Sequence, residues 1–158
     1  MWGEAEAWKY MDALHQNIAQ YQHSGSKPCR QAGAGEFPIG LTFEYRAVTT
    51  KKSGAPIDII FPTEGLGWDL ESSGIMKNTK KLEAARTLMD WLATPQAMEL
   101  YSKNFAVVAM PGIAKPLDYV PADYEKRLSK NDFAWSAKNR DKILAEWTKR
   151  YDAKSEKK

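Results

Sequence analysis

Ser24-Gly25-Ser26-Lys27-Pro28, followed by Ala34-Gly35-Glu36-Phe37-Pro38-Ile39-Gly40-Leu41-Thr42-Phe43-Glu44-Tyr45-Arg46, is the stretch on which the reading of this chain turns. It begins as a turn bearing hydroxyls and a glycine, with Ser26 placed to cap a short helix over about 27–34 and Pro28 tolerated in its first turn. Gly33 and Gly35 close that helix. Ile39, Leu41, Phe43 and Tyr45 then alternate with Gly40, Thr42 and Glu44, the period of a strand. A helix start offers free backbone N–H groups and the positive end of the helix dipole, so a strand ending beside it points to a small anionic ligand held at a strand–helix junction.

The same periodicities extend outward. Ala5, Trp8, Met11, Leu14 and Ile18 recur at helical spacing and predict an amphipathic helix over about 4–17, with 17–21 as a possible short strand. Residues 56–61 (Pro56-Ile57-Asp58-Ile59-Ile60-Phe61) read as a second strand, 46–54 as a polar stretch of open assignment, and Gly74-Ile75-Met76 as a third strand. Thr63-Glu64-Gly65-Leu66-Gly67-Trp68 is a glycine-punctuated connector and candidate hinge. Asn78 or Thr79 is placed to cap a helix whose stripe is Leu82, Ala85, Leu88, Met89 and Leu92, and Thr94-Pro95 restarts a second helix that closes near Asn104. An apolar run over 105–109 and a proline-marked loop lead to a last helix carrying Trp135, Ile143, Leu144, Trp147 and Tyr151. Strands alternating with helices predict an α/β fold.

Composition narrows the function. The chain has 158 residues, a net charge of +3 from interleaved acidic and basic residues, and 43% hydrophobic content, the balance of a globular domain. No basic stripe with interleaved aromatics argues for nucleic acid. Cys29 is alone and His15 and His23 are the sole histidines, so neither an intrachain disulfide nor a Cys/His zinc site is expected, and no cofactor is expected. No apolar run approaches the roughly 18 residues of a membrane span. The first residues, Met1-Trp2-Gly3-Glu4, lack the pattern of a signal peptide, so the chain as it stands is expected to stay in the cytoplasm. The basic run 149–158 is expected to be frayed and solvated.

The run Ala34-Gly35-Glu36-Phe37-Pro38-Ile39-Gly40-Leu41 resembles the strand entry of type II periplasmic solute-binding proteins, in particular the iron(III)/phosphonate branch of ABC-transporter receptors. The order of the remaining elements is similar: Tyr45 after the strand, the crossover Gly65-Leu66-Gly67-Trp68-Asp69, Lys77-Asn78-Thr79-Lys80 entering a helix, then Thr94-Pro95-Gln96-Ala97. Ser24-Gly25-Ser26-Lys27-Pro28 with Phe43-Glu44-Tyr45 looks most like 2-aminoethylphosphonate receptors. The resemblance implies the C-terminal portion of a two-lobe Venus-flytrap fold, with 1–66 in the C-terminal lobe, 67–110 as crossover and helices of the N-terminal lobe, and 111–158 returning to the C-terminal lobe. It implies a non-enzymatic, periplasmic receptor whose partners are a small phosphonate and a membrane permease. With half the fold missing, apolar stripes such as Leu82, Leu88, Met89 and Leu92 would be exposed and favour a dimer or domain swap. Iron-binding relatives carry a second tyrosine where this chain has Arg46, which favours an anion over ferric iron.

The ligand-binding residues expected on this reading are Ser24, Gly25, Ser26, Glu44, Tyr45 and Asp69. Each has a plainer alternative. The serine turn can be a helix cap alone, Tyr45 a core aromatic whose hydroxyl reaches solvent, and Glu44 a solvated partner of Arg46 rather than of a substrate ammonium. Trp68 is expected to pack, and Asp69 is open. Ser24-x-x-Lys27, Lys52-Ser53-Gly54 and Ser102-Lys103-Asn104 imitate the motifs of serine penicillin-binding enzymes, but in the wrong order.

Overall fold

A computed structural model describes residues 3–104 and 107–157 of the chain. The elements in order are α1 (Glu4–Asn17), α2 (Lys27–Gly33), α3 (Glu44–Lys52), α4 (Leu82–Leu92), α5 (Pro95–Ser102), α6 (Tyr124–Arg127) and α7 (Phe133–Tyr151), with a 3-10 turn at Asp152–Lys154. The helices expected over 4–17, 82–92 and after Thr94-Pro95 are in place. Thr94 caps α5 by accepting from the Ala97 amide, and Asp132 caps α7 by accepting from the Trp135 amide. Part of the apolar run 105–109 lies outside the described residues.

The strands do not form. Among the described residues the ladder is reduced to two isolated parallel bridges, Tyr21 with Ser155 and Leu66 with Leu128. Residues 39–43 form neither strand nor helix, and Ile39 and Leu41 stand 81% and 72% exposed. Ile60 in the second expected strand is 85% exposed. A strand without a neighbour has no ladder to join and no apolar face to bury, so alternation alone does not make one. The polar stretch after it becomes α3, beginning at Glu44 and ending on Lys51 and Lys52, charges that complement the helix dipole at both ends. Tyr45 therefore lies in the first turn of a helix, not on a strand face with Ile39 and Leu41.

Two of the small nuclei among the described residues bear on the site. In one, α2 packs on α3 and buries Cys29, Ala47 and Val48; the end of α3 grips the next segment through Lys51, whose ammonium donates to the Ile57 carbonyl at 2.6 Å and pairs with Asp58 at 2.9 Å. In the other, α7 lies against α1. Tyr151, 1% exposed, meets Trp8, His15, Tyr21 and Trp147 with ring centroids 5.0–6.4 Å away. Its hydroxyl donates to Asp12 at 2.7 Å. Arg150 pairs with Asp12 at 2.9 Å and sits over the Trp8 ring, while Lys142 pairs with Glu4 at 2.7 Å. On α4, Leu82 and Leu88 are exposed, whereas Met89 and Leu92 are partly covered by neighbouring residues.

The tail is also corrected. Beyond α7 it does not fray: the 3-10 turn sends it back along residues 21–23, with Tyr21 N donating to Lys154 O and Glu156 N donating to Tyr21 O, both at 2.9 Å. Two backbone hydrogen bonds to Tyr21 outweigh the repulsion of a short lysine run.

Candidate solute-binding site

The turn and the α3 start are brought together by one short segment. Gly40 passes so close to α2 that a Cβ there would lie 2.4 Å from the Pro28 carbonyl oxygen. Two residues on, the Thr42 hydroxyl donates to the Gly25 carbonyl at 2.6 Å. The Phe43 ring then covers Gly25, where a Cβ would fall 2.1 Å from the ring. Glycine at 25 is needed for that approach. Phe43 stacks on Tyr45 with centroids 5.8 Å apart and planes 16° from parallel, and the Arg46 guanidinium lies 5.8 Å from the Tyr45 ring centre. Phe43 thus links the turn at Gly25 to Tyr45, with Ser24, Ser26 and Glu44 as their chain neighbours.

Ser26 occupies the cap position of α2 without donating or accepting a cap hydrogen bond through its side chain. The Ser24 hydroxyl oxygen instead accepts from the Ser26 amide at 3.3 Å. The expected capping role is therefore not performed by Ser26, whose backbone adopts helical angles (φ −106°, ψ −19°) that carry its hydroxyl away from the first-turn amides. Arg46 Nε is buried and has no hydrogen-bond partner among the described residues, the kind of donor that a solute or water oxygen satisfies.

For Asp69 the structure shows a local contact. Its carboxylate accepts from the adjacent Leu70 amide at 2.8 Å and the residue is exposed. The crossover before it is a packing element: Trp68 donates through Nε1 to Ser129 O at 2.6 Å and meets Phe133 edge-on at 5.5 Å. Leu66 N donates to Arg127 O, and Ser129 N donates to Leu66 O. Thr79 does not cap α4 directly; its hydroxyl accepts from the Lys81 amide, one residue before the helix.

Tyr124 was not foreseen as a neighbour of Glu44. Burial pushes its phenol up to about 12, and the Glu44 carboxylate adds to the shift. The ring packs edge-on against Phe61 at 5.7 Å. A phenol in an unfolded chain ionises near 10. The folded state therefore holds its proton more tightly: the contribution is complete below about pH 10 and is lost as pH climbs toward about 12. Burial raises Tyr21 and Tyr151 in the same direction. Absorbance titration of the wild type should show late-ionising phenols. Denaturant midpoints should fall across that interval, with Tyr124→Phe making the fall shallower; an unchanged slope in that variant contradicts the assignment.

Hydroxyls, an aromatic pair, a carboxylate and an unpaired guanidinium nitrogen in one patch suit the holding of a small polar solute. Among the described residues no group of three or more histidines, cysteines or carboxylates is gathered to hold a metal ion. Lys27, the lysine of the serine-enzyme imitation, is paired with Glu156. The chain belongs to the bacterial extracellular solute-binding proteins, whose family model matches residues 2–126. Its relatives include an uncharacterized protein of Haemophilus influenzae, 35% identical over 104 residues that cover 66% of this chain and 30% of that protein. The spermidine/putrescine-binding periplasmic protein of Escherichia coli is 28% identical over 89 residues, 56% of this chain and 25% of that protein. Its counterpart in Salmonella typhimurium is 26% identical over the same length. The matched part spans less than a third of each relative. No solved structure matches the chain at a significant level.

Proposed function

We propose that this chain is a solute-recognising part of a periplasmic receptor that delivers its ligand to the membrane permease of an ABC importer, and that the ligand is a small aminoalkylphosphonate, 2-aminoethylphosphonate in the first instance. Family membership supports a binding role without chemistry. The observation that carries the ligand class is the joining of two unlike ends by residues 40–43. On one side are the serine hydroxyls of the 24–26 turn, on the other Glu44 and Tyr45, fastened by the Thr42–Gly25 hydrogen bond. A phosphonate takes hydroxyl donors and an ammonium takes a carboxylate, so a solute carrying both charges uses both ends.

A second reading is a polyamine, favoured by the similarity to the spermidine/putrescine-binding protein of Escherichia coli. Glu44 with the Phe43–Tyr45 stack would then serve the ammonium and the serine turn would be idle. Titration calorimetry with 2-aminoethylphosphonate, methylphosphonate and putrescine separates the two. A charge-assisted hydrogen bond contributes about 1.5–3 kcal/mol, so losing one weakens binding roughly tenfold or more. Glu44→Gln should weaken 2-aminoethylphosphonate by that order and spare methylphosphonate, while Ser26→Ala and Tyr45→Phe weaken both. Binding of putrescine alone, lost in Glu44→Gln, establishes the polyamine reading instead.

A further inference from the structure

The tail that folds back after α7 ends beside the entrance to α2. Lys154 anchors it, its ammonium donating to the His15 and Ile18 carbonyls at 2.7 Å each, at the C-terminal end of α1 where the helix dipole attracts a cation. The Tyr21–Ser155 bridge then sets the direction of the last residues. This brings the Glu156 carboxylate onto two donors. One oxygen accepts from the His23 amide at 2.7 Å, and the other accepts from the Lys27 ammonium. The His23 ring nitrogen Nε2 lies 3.2 Å from the Glu156 carbonyl oxygen. Lys27 and the His23 amide hold the Glu156 carboxyl below the usual carboxylate range. Glu156 and Lys27 are 129 residues apart in sequence, and between the two donors runs the Ser24-Gly25-Ser26 turn with its uncommitted Ser26 hydroxyl.

We propose that the His23 amide and the Lys27 ammonium form an oxyanion seat which Glu156 fills as an internal ligand, so that a phosphonate or phosphate group competes with the tail for it. A carboxylate offers two oxygens and meets both donors. A tetrahedral oxyanion offers at least a third, free for a further donor. The competition is intramolecular, and a tethered carboxylate acts at a high effective concentration, so the seat in the wild-type chain takes an external anion weakly. Occupation by that anion frees Glu156 and loosens the backbone pairing of 155–156 with Tyr21. The proposal rests on the solute reading above only in taking the phosphonate end of the ligand as the competitor.

The test uses the full chain, titrated with methylphosphonate and with inorganic phosphate at fixed ionic strength, in wild type, Glu156→Gln, Glu156→Ala and Lys27→Ala, each checked for folding by circular dichroism. Both Glu156 variants should bind methylphosphonate at least about tenfold more tightly than wild type, the two contacts of the carboxylate no longer having to be displaced. Lys27→Ala should bind neither anion. In wild type, saturating methylphosphonate should speed hydrogen exchange of the Glu156 amide. Equal or weaker binding in both folded Glu156 variants, or none in any protein, overturns the seat. Failure of the function reading looks different: 2-aminoethylphosphonate then binds no better than methylphosphonate, while the Glu156 variants still gain affinity for the simple anions.

Discussion

Tyr151→Ala should be the most damaging single substitution in the chain, with an expected loss of about 3–5 kcal/mol, the range for removing a large aromatic from a packed site. The ring is 1% exposed and is the common neighbour of Trp8, His15, Tyr21 and Trp147. Its removal opens a cavity between α1 and α7 that none of these rings fills without leaving another partner. Native proteins hold only about 5–15 kcal/mol in total, so the variant should be largely unfolded at moderate temperature. Tyr151→Phe separates packing from hydrogen bonding: it keeps the ring and loses the bond to Asp12, whose carboxylate Arg150 still holds. Its cost should be a small fraction of the alanine cost. Thermal and denaturant unfolding of both variants checks this, and an alanine variant melting within a degree or two of wild type contradicts the packing role.

Gly40→Ala should lose stability and solute binding together. The added methyl would lie 2.4 Å from the Pro28 oxygen and 2.7 Å from its carbonyl carbon. These are backbone atoms that cannot rotate aside, so the segment itself must move. Overpacking of this kind costs about 1–3 kcal/mol. The displacement also carries Thr42 away from Gly25 and lifts Phe43 off the turn, uncoupling the two ends of the patch. Gly25→Ala is the contrast, because the three atoms nearest its methyl all belong to the Phe43 side chain. That ring can swing away at the expense of its stacking on Tyr45, so binding should fall more than stability. Calorimetric titration beside unfolding measurements distinguishes the two, and a Gly40→Ala protein with wild-type stability would show that the close approach is not needed.

Helices were legible where the signal was local. The stripes of α1 and α4 and the Thr94-Pro95 entrance to α5 need only neighbours three or four residues away, and each formed close to its expected bounds. Strands were misread because alternation in 39–45 states which residues would share a face, not whether another strand exists to pair with them. The grouping of Ser24, Gly25, Ser26, Glu44 and Tyr45 was legible as proximity in sequence, although the agent that joins them, Thr42 with Phe43, was not singled out. The Glu156–Lys27 contact and the closeness of Glu44 to Tyr124 could not be read, since nothing in one residue marks a partner some 80 to 130 positions away. Asp69 is marked by family likeness alone, and the contact it makes here is the local one with Leu70.

The contrast between the two nuclei bears on the order in which the chain assembles. The Thr42–Gly25 bond closes a loop of 17 residues, whereas the Tyr151–Asp12 bond closes one of 139. On the logarithmic scaling of closure entropy, the longer loop costs about 2 kcal/mol more before any contact rewards it. Residues 24–57 can therefore collapse on their own, while α1 waits for α7 and remains an unpaired amphipathic helix until that helix is in place. During that interval Trp8 lacks Tyr151, and His15 and Tyr21 have only each other, so a chaperone that recognises exposed aromatic surface would find it along α1 and the segment after it.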